Sequence, residues 1–560
     1  MLAKFFWRPR NALIACLIIL GFSIYTTSHW VGADPGDGEN AYLLAAQLLV
    51  DDFSVSYAPP DQFSFIDFAW VDASDGRFYL KFPIGTTLLH ATARWVAKIC
   101  VPTKASLGPY VVSPICMIFF LIGSYLVFRI FFEFSYSVIG LTLLAINPVT
   151  VYQANLAYSH GPSMCVSVWG MYALLRWWKR GGALKALTAG LLLGLLVSIR
   201  YDDGLFLIPI LVIVCLRWRH PEGCVNKECG VVLAGWLLPV FLLLIYNWIS
   251  IGSLTGYDYT NESTGFSLKF LPSRLHHTLR AFNSSGLPWV FPFSVLGAGV
   301  LLMSNRPLAA IVLAWILPNF VLHLCYYYLP EGQLLSASAA MNQLRFFAPN
   351  LPALVLLALW CWSHLRVPAL TRHQDVVIWV FVALAAVTTL SITIPLLNKQ
   401  QSRRLRLQTA GREIVSRVDP GSMVVGIYPI IAHLQVIGDY RLYDVSTFHK
   451  DQAKYIGRSH EDRPYPLSVG RRRRLYEFLT RNSQDDIIRV ENQIMRKAMR
   501  QGRRVFFILR HSQTKHVARL VFPPDRFSST IVHLWRRDEQ TGKRRCDIDL
   551  VEVLMGSEPE

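Results

Sequence analysis

Eleven apolar stretches divide the 560-residue chain, and they limit its fold more than any other feature of the sequence. A helix needs about 20 mostly apolar residues to cross the hydrocarbon core of a bilayer. Only 16% of the residues are charged, whereas soluble domains carry about 25%. The sequence therefore predicts a polytopic α-helical membrane protein with about 11 transmembrane helices, and it excludes a soluble, disordered or fibrous protein. The predicted spans cover residues 11–29, 108–131, 137–152, 160–177, 183–199, 204–218, 230–250, 289–304, 307–328, 349–364 and 374–397.

The distribution of positive charge predicts the orientation of these spans. Lys4, Arg8 and Arg10 precede the first span, and the cytoplasmic ends of spans carry an excess of Lys and Arg. The loops 178–182 and 365–373, which fall on the same side, are also positive. We therefore predict a multi-pass protein of the cell membrane (inner or plasma membrane) with a cytoplasmic N-terminus. An odd number of spans then places the C-terminal part outside the cytoplasm.

The chain divides into an apolar body and a basic tail. We predict a transmembrane domain over residues 1–397, with a first extracytoplasmic loop at 30–107, and a soluble extracytoplasmic domain over 398–560. The tail carries 31 Lys and Arg against 19 Asp and Glu, and it alternates β-like runs such as 423–427 with charged, helix-like stretches such as 485–500. This alternation predicts a C-terminal α/β domain. The charge suits anionic lipid headgroups or an acidic glycan, and we expect no nucleic-acid partner because no recognition motif is present.

Three carboxylates lie close together where the chain leaves the first span. Asp34, Asp37 and Glu39 fall within six residues, and the apolar stretch from Tyr42 to Leu49 predicts a helix at the membrane interface. Acidic residues favour the N-terminus of a helix, so this acidic segment could simply cap that helix. One of its carboxylates could instead act as a general base, or the segment could hold a divalent metal. Both interpretations stay open, and no ligand spacing requires a metal.

Cationic and polar side chains fall on the same predicted side of the membrane. Arg77 and Lys81 are four residues apart among aromatic residues, a combination that suits phosphate binding. The alternative is that both side chains snorkel at the interface. Arg200 and Asp202 could form an ion pair that closes a hairpin, or they could belong to a site, since charges at membrane boundaries are commonly functional. Further polar residues on this side are Tyr42, Tyr158, His160, Tyr257 and Arg345.

Five segments of the body form an ordered series of motifs. They read DGENAYLLA at 37–45, DGRFYLKFPIG at 75–85, SIRYD at 198–202, YNWISIGSLTGY at 246–257 and QLRFFAPNLP at 343–352. In this order and topology they resemble the GT-C superfamily of membrane glycosyltransferases. Within it, the likeness is to the protein O-mannosyltransferase and lipid A aminoarabinose transferase group and its bacterial relatives. The resemblance covers residues 1–397.

The resemblance implies an inverting glycosyltransferase that uses a polyprenyl-phosphate-linked sugar as donor. In such enzymes a carboxylate of the first loop takes the acceptor proton, and cations stabilise the departing lipid phosphate. The resemblance assigns the base to Asp37, Asp34 or Glu39, with Asp37 preferred. The family has adjacent Asp and Glu there, whereas Gly38 occupies the Asp position in this chain. The implied donor-phosphate contacts are Lys81, Arg77, Arg200 and Arg345, and the implied substrate-pocket residues are Tyr42, His160, Asp202 and Tyr257.

The expected partners follow from the same resemblance. They are the lipid-linked donor, the lipid bilayer, and an acceptor that could be a glycan, a glycolipid or a protein. No metal ligands and no cofactor are assigned, and a divalent metal at the acidic segment stays open.

Two other classes of function remain as alternatives. A transporter or flippase of lipid-linked sugars is expected to show an inverted repeat and polar groups near the middle of the membrane. Here no repeat is evident, and the polar groups gather at one surface. A non-enzymatic membrane scaffold would use the basic tail and leave the acidic segment inert.

Overall fold

The computed structural model shows a bundle of helices followed by a mixed β-sheet. It describes residues 9–32, 39–61, 63–65, 69–73, 75–218, 225–256, 266–326, 337–364, 374–427, 430–444, 477–510, 527–533 and 548–555. The α-helices are α1 (Pro9–Ser28), α2 (Glu39–Asp51), α3 (Ile84–Cys100), α4 (Val112–Phe131), α5 (Phe134–Ile146), α6 (Pro148–Ala154), α7 (His160–Arg180), α8 (Ala183–Ile199), α9 (Leu207–Trp218), α10 (Val225–Ile251), α11 (Leu271–Ala281), α12 (Phe291–Ser304), α13 (Arg306–Leu324), α14 (Ala337–Leu344), α15 (Leu351–His364), α16 (Gln374–Val415), α17 (Ile430–Ile437) and α18 (Gln484–Arg500). The strands are β1 (Ser56–Tyr57), β2 (Trp70–Asp72), β3 (Phe78–Leu80), β4 (Met423–Gly426), β5 (Arg441–Asp444), β6 (Val505–Arg510), β7 (Phe527–His533) and β8 (Ile548–Met555).

The apolar runs of the sequence form helices, as predicted, and each predicted span overlaps at least one of them. Two bent helix pairs, α5 with α6 and Leu268–Gly286 with Phe291–Ser304, raise the number of candidate spans from five to seven if each pair is one span. Helices α8 and α9, with 17 and 12 residues, are short for a crossing. The described residues thus support a multi-pass membrane protein, and the count of eleven stays a prediction. The five helical stretches that are long and apolar enough to cross a membrane are Pro102–Phe131, Lys227–Ile251, Arg306–Leu324, Ala340–His364 and Ile378–Val415.

The bend between α5 and α6 has a local cause. The two helices meet at 58° around Asn147 and Pro148, and a proline cannot continue the hydrogen-bond ladder of the preceding helix. The side-chain oxygen of Asn147 accepts hydrogen bonds from the backbone N–H groups of Val149 at 2.9 Å and Thr150 at 3.3 Å. Its amide nitrogen donates to the Gly286 carbonyl at 2.5 Å. The new helix is therefore capped and tied to a neighbouring segment at the same point.

The first loop folds into two helices and a small sheet. Strands β1, β3 and β2 form an antiparallel sheet in that order, and Gly76, with φ of 76°, makes the turn before β3. The predicted helix after the acidic segment is confirmed as α2, which packs against α3. Asp51 at the end of α2 accepts hydrogen bonds from Arg94 at 2.6 Å and Lys98 at 2.9 Å. These contacts fix α3 beside α2.

The C-terminal part contains a five-stranded sheet in the order β5-β4-β6-β8-β7. Strands β5, β4 and β6 run parallel, whereas β6, β8 and β7 pair antiparallel. Helix α18 packs on one face, and α17 and the end of α16 pack on the other. Strand β4 and helix α18 lie where the sequence predicts β-like and helix-like stretches. The predicted domain boundary at residue 397 falls inside α16, which runs unbroken from the apolar run into the tail.

The first loop also covers an edge of this C-terminal sheet. The Phe65 N–H donates to the Leu442 carbonyl of β5 at 2.5 Å, and the Tyr443 hydroxyl donates to the Asp61 carboxylate. Phe63 and Phe65 pack into the apolar cores on the two faces of the sheet. The loop therefore occupies an edge that would otherwise be open to pairing.

Candidate active site

A buried arginine lies at the centre of the candidate site. Arg200 follows the last turn of α8 in an extended conformation and leads into the 3-10 helix Tyr201–Phe206. Its Nη1 donates to Nδ1 of His160 at 2.7 Å, and its Nη2 donates to the Asp202 carboxylate at 2.5 Å. His323 of α13 places its Nε2 3.0 Å from the same carboxylate oxygen. Four polar side chains thus form one chain of contacts that runs from α7 to α13.

Asp202 and Asp203, which are adjacent in this turn, differ in their tendency to ionise. Burial raises the pKa of Asp202, but Arg200 and His323 together lower it by more than burial raises it. The pKa of Asp202 therefore lies below its usual range. Burial, with the charge of Asp202, raises the pKa of Asp203 to about 7. The Ser163 hydroxyl donates to Asp203 at 2.6 Å. Near neutral pH the turn therefore holds one firmly ionised carboxylate and one carboxyl that is close to its titration point.

Aromatic rings enclose the cationic groups. The Arg345 guanidinium lies 5.2 Å from the centre of the Tyr158 ring and 5.1 Å from that of Phe346. The Phe346 ring lies 5.9 Å from the Arg200 guanidinium and 5.8 Å from the His160 ring. Aromatic faces attract cations, most strongly where water is excluded. The rings therefore hold two positive charges close together in an apolar setting.

The first loop joins the site through Tyr42 and Lys81. Tyr42 is 2% exposed, and its burial raises the pKa of the phenol well above the usual value. The Tyr42 hydroxyl hydrogen-bonds to the side chain of Ser159, directly before α7, and lies within the field of Arg200. The Tyr42 ring stacks on Phe82 at 5.1 Å, and the Lys81 ammonium lies 5.2 Å from the centre of the same Phe82 ring. Phe82 thus lies between Lys81 and Tyr42, and it links a third cation to the site.

A glycine makes this approach possible. Gly85, in the first turn of α3, packs against the last turn of α8, and a Cβ at this position would lie 2.5 Å from the Ser198 carbonyl oxygen. Because that oxygen belongs to the backbone, no larger residue fits unless one helix moves. Lys81 precedes α3 and Arg200 follows α8, so the close contact brings the two cations toward each other.

Most of the predicted site residues that the structure describes come together, and Arg77 lies apart. The Arg77 side chain is exposed, and its Nε donates to the Ser56 hydroxyl at 2.6 Å, with Ser54 at 3.4 Å from Nη2. These are the contacts of a surface side chain beside β3. The predicted residues that meet are Tyr42, Lys81, His160, Arg200, Asp202 and Arg345.

The acidic segment leads directly into this region. Asp34, Asp37 and Tyr257 lie outside the described residues. Glu39 is the first residue of α2, and the structure describes its backbone but not its side chain. Because Tyr42 follows Glu39 by about one helical turn, the chain passes from the acidic segment straight to a residue of the site.

Two polar members of the site, His323 and Ser163, were not among the predicted residues. His323 lies in the last turn of α13 and is 3% exposed, and Ser163 is fully buried in α7. A histidine in an otherwise apolar span is a signal of function by default, and it could have drawn attention to His323. Its contact with Asp202 depends on the tertiary fold, which no local spacing reveals.

The described side chains do not form a metal centre at this site. No group of three or more His, Cys, Asp or Glu side chains in the described part of the chain is arranged to hold an ion. Arg200 already bonds both His160 and Asp202, and it adds positive charge where a metal ion would have to bind. A metal held by the acidic segment stays a hypothesis about residues outside the description.

Comparisons with solved structures show that the chain has a known fold. No family model matches the sequence, and no curated protein sequence matches it. The chain is similar to ArnT from Cupriavidus metallidurans in its crystal structure bound to undecaprenyl phosphate, with a TM-score of 0.58, 12% identity and coverage of 97% of both chains. The apo state of ArnT gives a TM-score of 0.56 and 12% identity, with coverage of 98% of both chains. The apo oligosaccharyltransferase of Archaeoglobus fulgidus gives a TM-score of 0.50 and 13% identity, with coverage of 92% of this chain and 71% of that one. At such identities the likeness shows the fold alone, and the chain has the fold of these crystal structures, in agreement with the resemblance that its motifs indicated.

Proposed function

We propose that the protein is an inverting glycosyltransferase that moves a sugar from a polyprenyl-phosphate-linked donor to an extracytoplasmic acceptor. The observation that carries the proposal is the grouping of Arg200, Arg345 and Lys81 beside Tyr42, which follows the acidic segment. Three cations in an aromatic setting suit a phosphate group at the boundary of a bilayer. The ArnT structure was solved with undecaprenyl phosphate bound, which supports a lipid phosphate as the ligand of this site.

The proposed reaction needs both a base and a positive field. The acceptor oxygen attacks the anomeric carbon of the donor, and the bond from that carbon to the phosphate oxygen breaks with its electron pair. Negative charge grows on the departing lipid phosphate, where the preorganised cations Arg345 and Arg200 stabilise it. The acceptor proton passes to a carboxylate of the acidic segment, for which we prefer Asp37 over Asp34 and Glu39. No step of this reaction is assigned to a metal.

The same proposal orients the protein in the membrane. With the N-terminus in the cytoplasm, the candidate site and the C-terminal sheet face the outside, where the lipid-linked sugar is consumed. The acceptor would be a glycan, a glycolipid or a protein, and the C-terminal sheet would lie on the acceptor side because it contacts the first loop.

Lipid binding by the purified protein tests the donor site. Native mass spectrometry should show undecaprenyl phosphate retained in competition with phosphatidylglycerol, which is also anionic. Arg345→Gln should weaken that retention about 10- to 100-fold, the effect of losing a hydrogen bond to a charged group. The control is Arg129→Gln, because Arg129 lies in the last turn of α4 and donates to the Phe132 carbonyl at 2.9 Å. Retention no better than that of phosphatidylglycerol in the wild type would refute the proposed donor.

Transfer itself is tested at the acidic segment. With a polyprenyl-phosphate sugar and a suitable acceptor, Asp37→Asn should keep lipid binding and lose about 100- to 10,000-fold in rate, the usual effect of removing a general base. An unchanged rate in Asp37→Asn, Asp34→Asn and Glu39→Gln alike would refute the assignment of the base to the acidic segment. A wild type that shows no transfer with any donor and acceptor pair would favour the scaffold interpretation.

A further inference from the structure

The contact between Arg200 and His160 fixes the protonation state of the histidine. An arginine side chain stays protonated and can only donate hydrogen bonds. Its Nη1 lies 2.7 Å from Nδ1 of His160, so Nδ1 must offer a lone pair. A histidine with a free lone pair on Nδ1 is neutral and carries its single proton on Nε2. His160 therefore enters the site as a neutral hydrogen-bond donor.

The chain of contacts behind Arg200 keeps His160 in this state. Asp202 accepts from Arg200 at 2.5 Å and lies 3.0 Å from Nε2 of His323. The carboxylate therefore fixes one side of the guanidinium while the other side faces His160. A third group that orients a hydrogen-bonded pair is a recurring way of setting a tautomer. His323 and Asp202 thus act as positioning residues for the imidazole of His160.

The Nε2–H group of His160 is available to donate a hydrogen bond to a ligand. Arg200 occupies Nδ1, and that is the one hydrogen bond found for the His160 side chain among the residues that the structure describes. The ring stands at 5.7 Å from the Tyr158 ring and 5.8 Å from the Phe346 ring, the same two rings that face Arg345. The open donor is therefore held next to the cations to which the proposed function assigns the lipid phosphate.

We propose that the Nε2–H of His160 donates a hydrogen bond to a phosphate oxygen of the lipid-linked donor, as a neutral ligand beside the cations. This inference rests on the proposed function and deepens it by assigning an atom and a protonation state. When the bond from the anomeric carbon to the phosphate oxygen breaks, the electron pair stays on the phosphate, and the hydrogen bond to it strengthens. No proton leaves His160, because the acceptor proton goes to the acidic segment.

Two amide substitutions separate this role from a purely structural one. A glutamine can place an N–H near the position of Nε2, whereas an asparagine can place an oxygen only near the position of Nδ1. We expect His160→Gln to bind undecaprenyl phosphate within about threefold of the wild type. His160→Asn and His160→Ala should bind it about 10- to 100-fold more weakly. The control His364→Gln, at an exposed histidine at the end of α15, should match the wild type.

The opposite order of effects would overturn the inference. If His160→Asn binds as the wild type does and His160→Gln does not, the histidine serves only to hold Arg200. Equal losses in all three His160 variants would assign the effect to packing of the ring, and wild-type affinity in all three would remove the contact altogether. Each variant is first checked for a single elution peak and a wild-type unfolding temperature. A wild type without preference for undecaprenyl phosphate would refute the proposed function itself. That result depends on the wild type alone, so it is distinct from the outcomes for the His160 variants.

Discussion

The close contact between α3 and α8 should make Gly85→Ala strongly damaging, although it adds a single methyl group. A Cβ at Gly85 would lie 2.5 Å from the Ser198 oxygen, 2.8 Å from the Ser198 carbonyl carbon and 3.2 Å from the Ile199 nitrogen. All three atoms belong to the backbone at the end of a helix, so none of them can rotate away. One of the two helices must therefore move.

The size of the movement can be worked out from these distances. Ordinary van der Waals contact begins at 3.4 Å, so the helices must separate by about 1 Å. That shift moves Lys81, just before α3, away from Arg200, just after α8. A misplacement of about 1 Å at a reacting centre can cost about 100-fold in rate. Overpacking of this kind also destabilises by about 1 to 3 kcal/mol.

The assay compares sugar transfer and retention of undecaprenyl phosphate in Gly85→Ala and in a matched control. Gly299→Ala is the control, since a Cβ at Gly299 in α12 would meet no atom within 4 Å. We expect the control to keep wild-type rate and stability, and Gly85→Ala to lose about 100-fold in rate while remaining folded. A Gly85→Ala protein with wild-type transfer would show that the distance between Lys81 and Arg200 does not matter, and the reasoning would be wrong.

Three further predictions concern stability. The pKa of Asp203 is raised to about 7, so the folded state loses stability as pH rises from about 4 to 7; the unfolding temperature of the wild type should fall over that range, and that of Asp203→Asn should fall less. Burial raises the pKa of Glu491 in α18 to about 8, so Glu491→Gln should flatten the fall of unfolding temperature between pH 5 and 8, and parallel curves for variant and wild type would contradict this. Asp61→Ala and Tyr443→Phe each remove a partner of the hydrogen bond between the first loop and β5, so in a double-mutant cycle their effects on the free energy of unfolding should overlap by about 1 kcal/mol. Additive losses would show that this bond contributes nothing.

The sequence predicted those parts of the fold that depend on local pattern. Apolar runs of sufficient length become helices because a helix satisfies its own backbone hydrogen bonds, and α2, β4 and α18 follow from equally local patterns. The alternation of span directions also predicted that His160, Arg200 and Arg345 would lie on one side. In the structure these residues meet, while their roles in transfer stay predictions.

The spacing of Arg77 and Lys81 was a weaker guide. Residues four apart lie about 6 Å from each other on a helix, but about 13 Å apart along a strand. The chain between them forms β3, so Arg77 sits beside Ser56 at the surface and Lys81 beside Phe82 at the site. The segment 75–85 therefore contributes Lys81 to the site and Arg77 to the surface beside the sheet of the first loop.

The predicted domain boundary falls inside a helix for a physical reason. The sequence analysis divided the chain at residue 397, where the apolar run ends. Loss of apolar character ends a membrane span but does not end a helix, and the following Gln, Arg and Leu residues are good helix formers. Helix α16 accordingly continues to Val415. It enters the C-terminal core with Leu407 and Ile414.

Helices α16 and α17 connect the C-terminal sheet to both sides of the acidic segment. Before the segment, Gln401 of α16 donates to the Ser28 carbonyl at the end of α1 at 2.9 Å. After the segment, Val436 of α17 packs against Leu43 of α2 in a small buried cluster. Because these contacts flank the acidic segment, the sheet cannot tilt against the membrane without moving the residues that lead into the site. Under the proposed function, an acceptor bound by the C-terminal sheet is therefore presented at a distance that the same contacts set for the catalytic base.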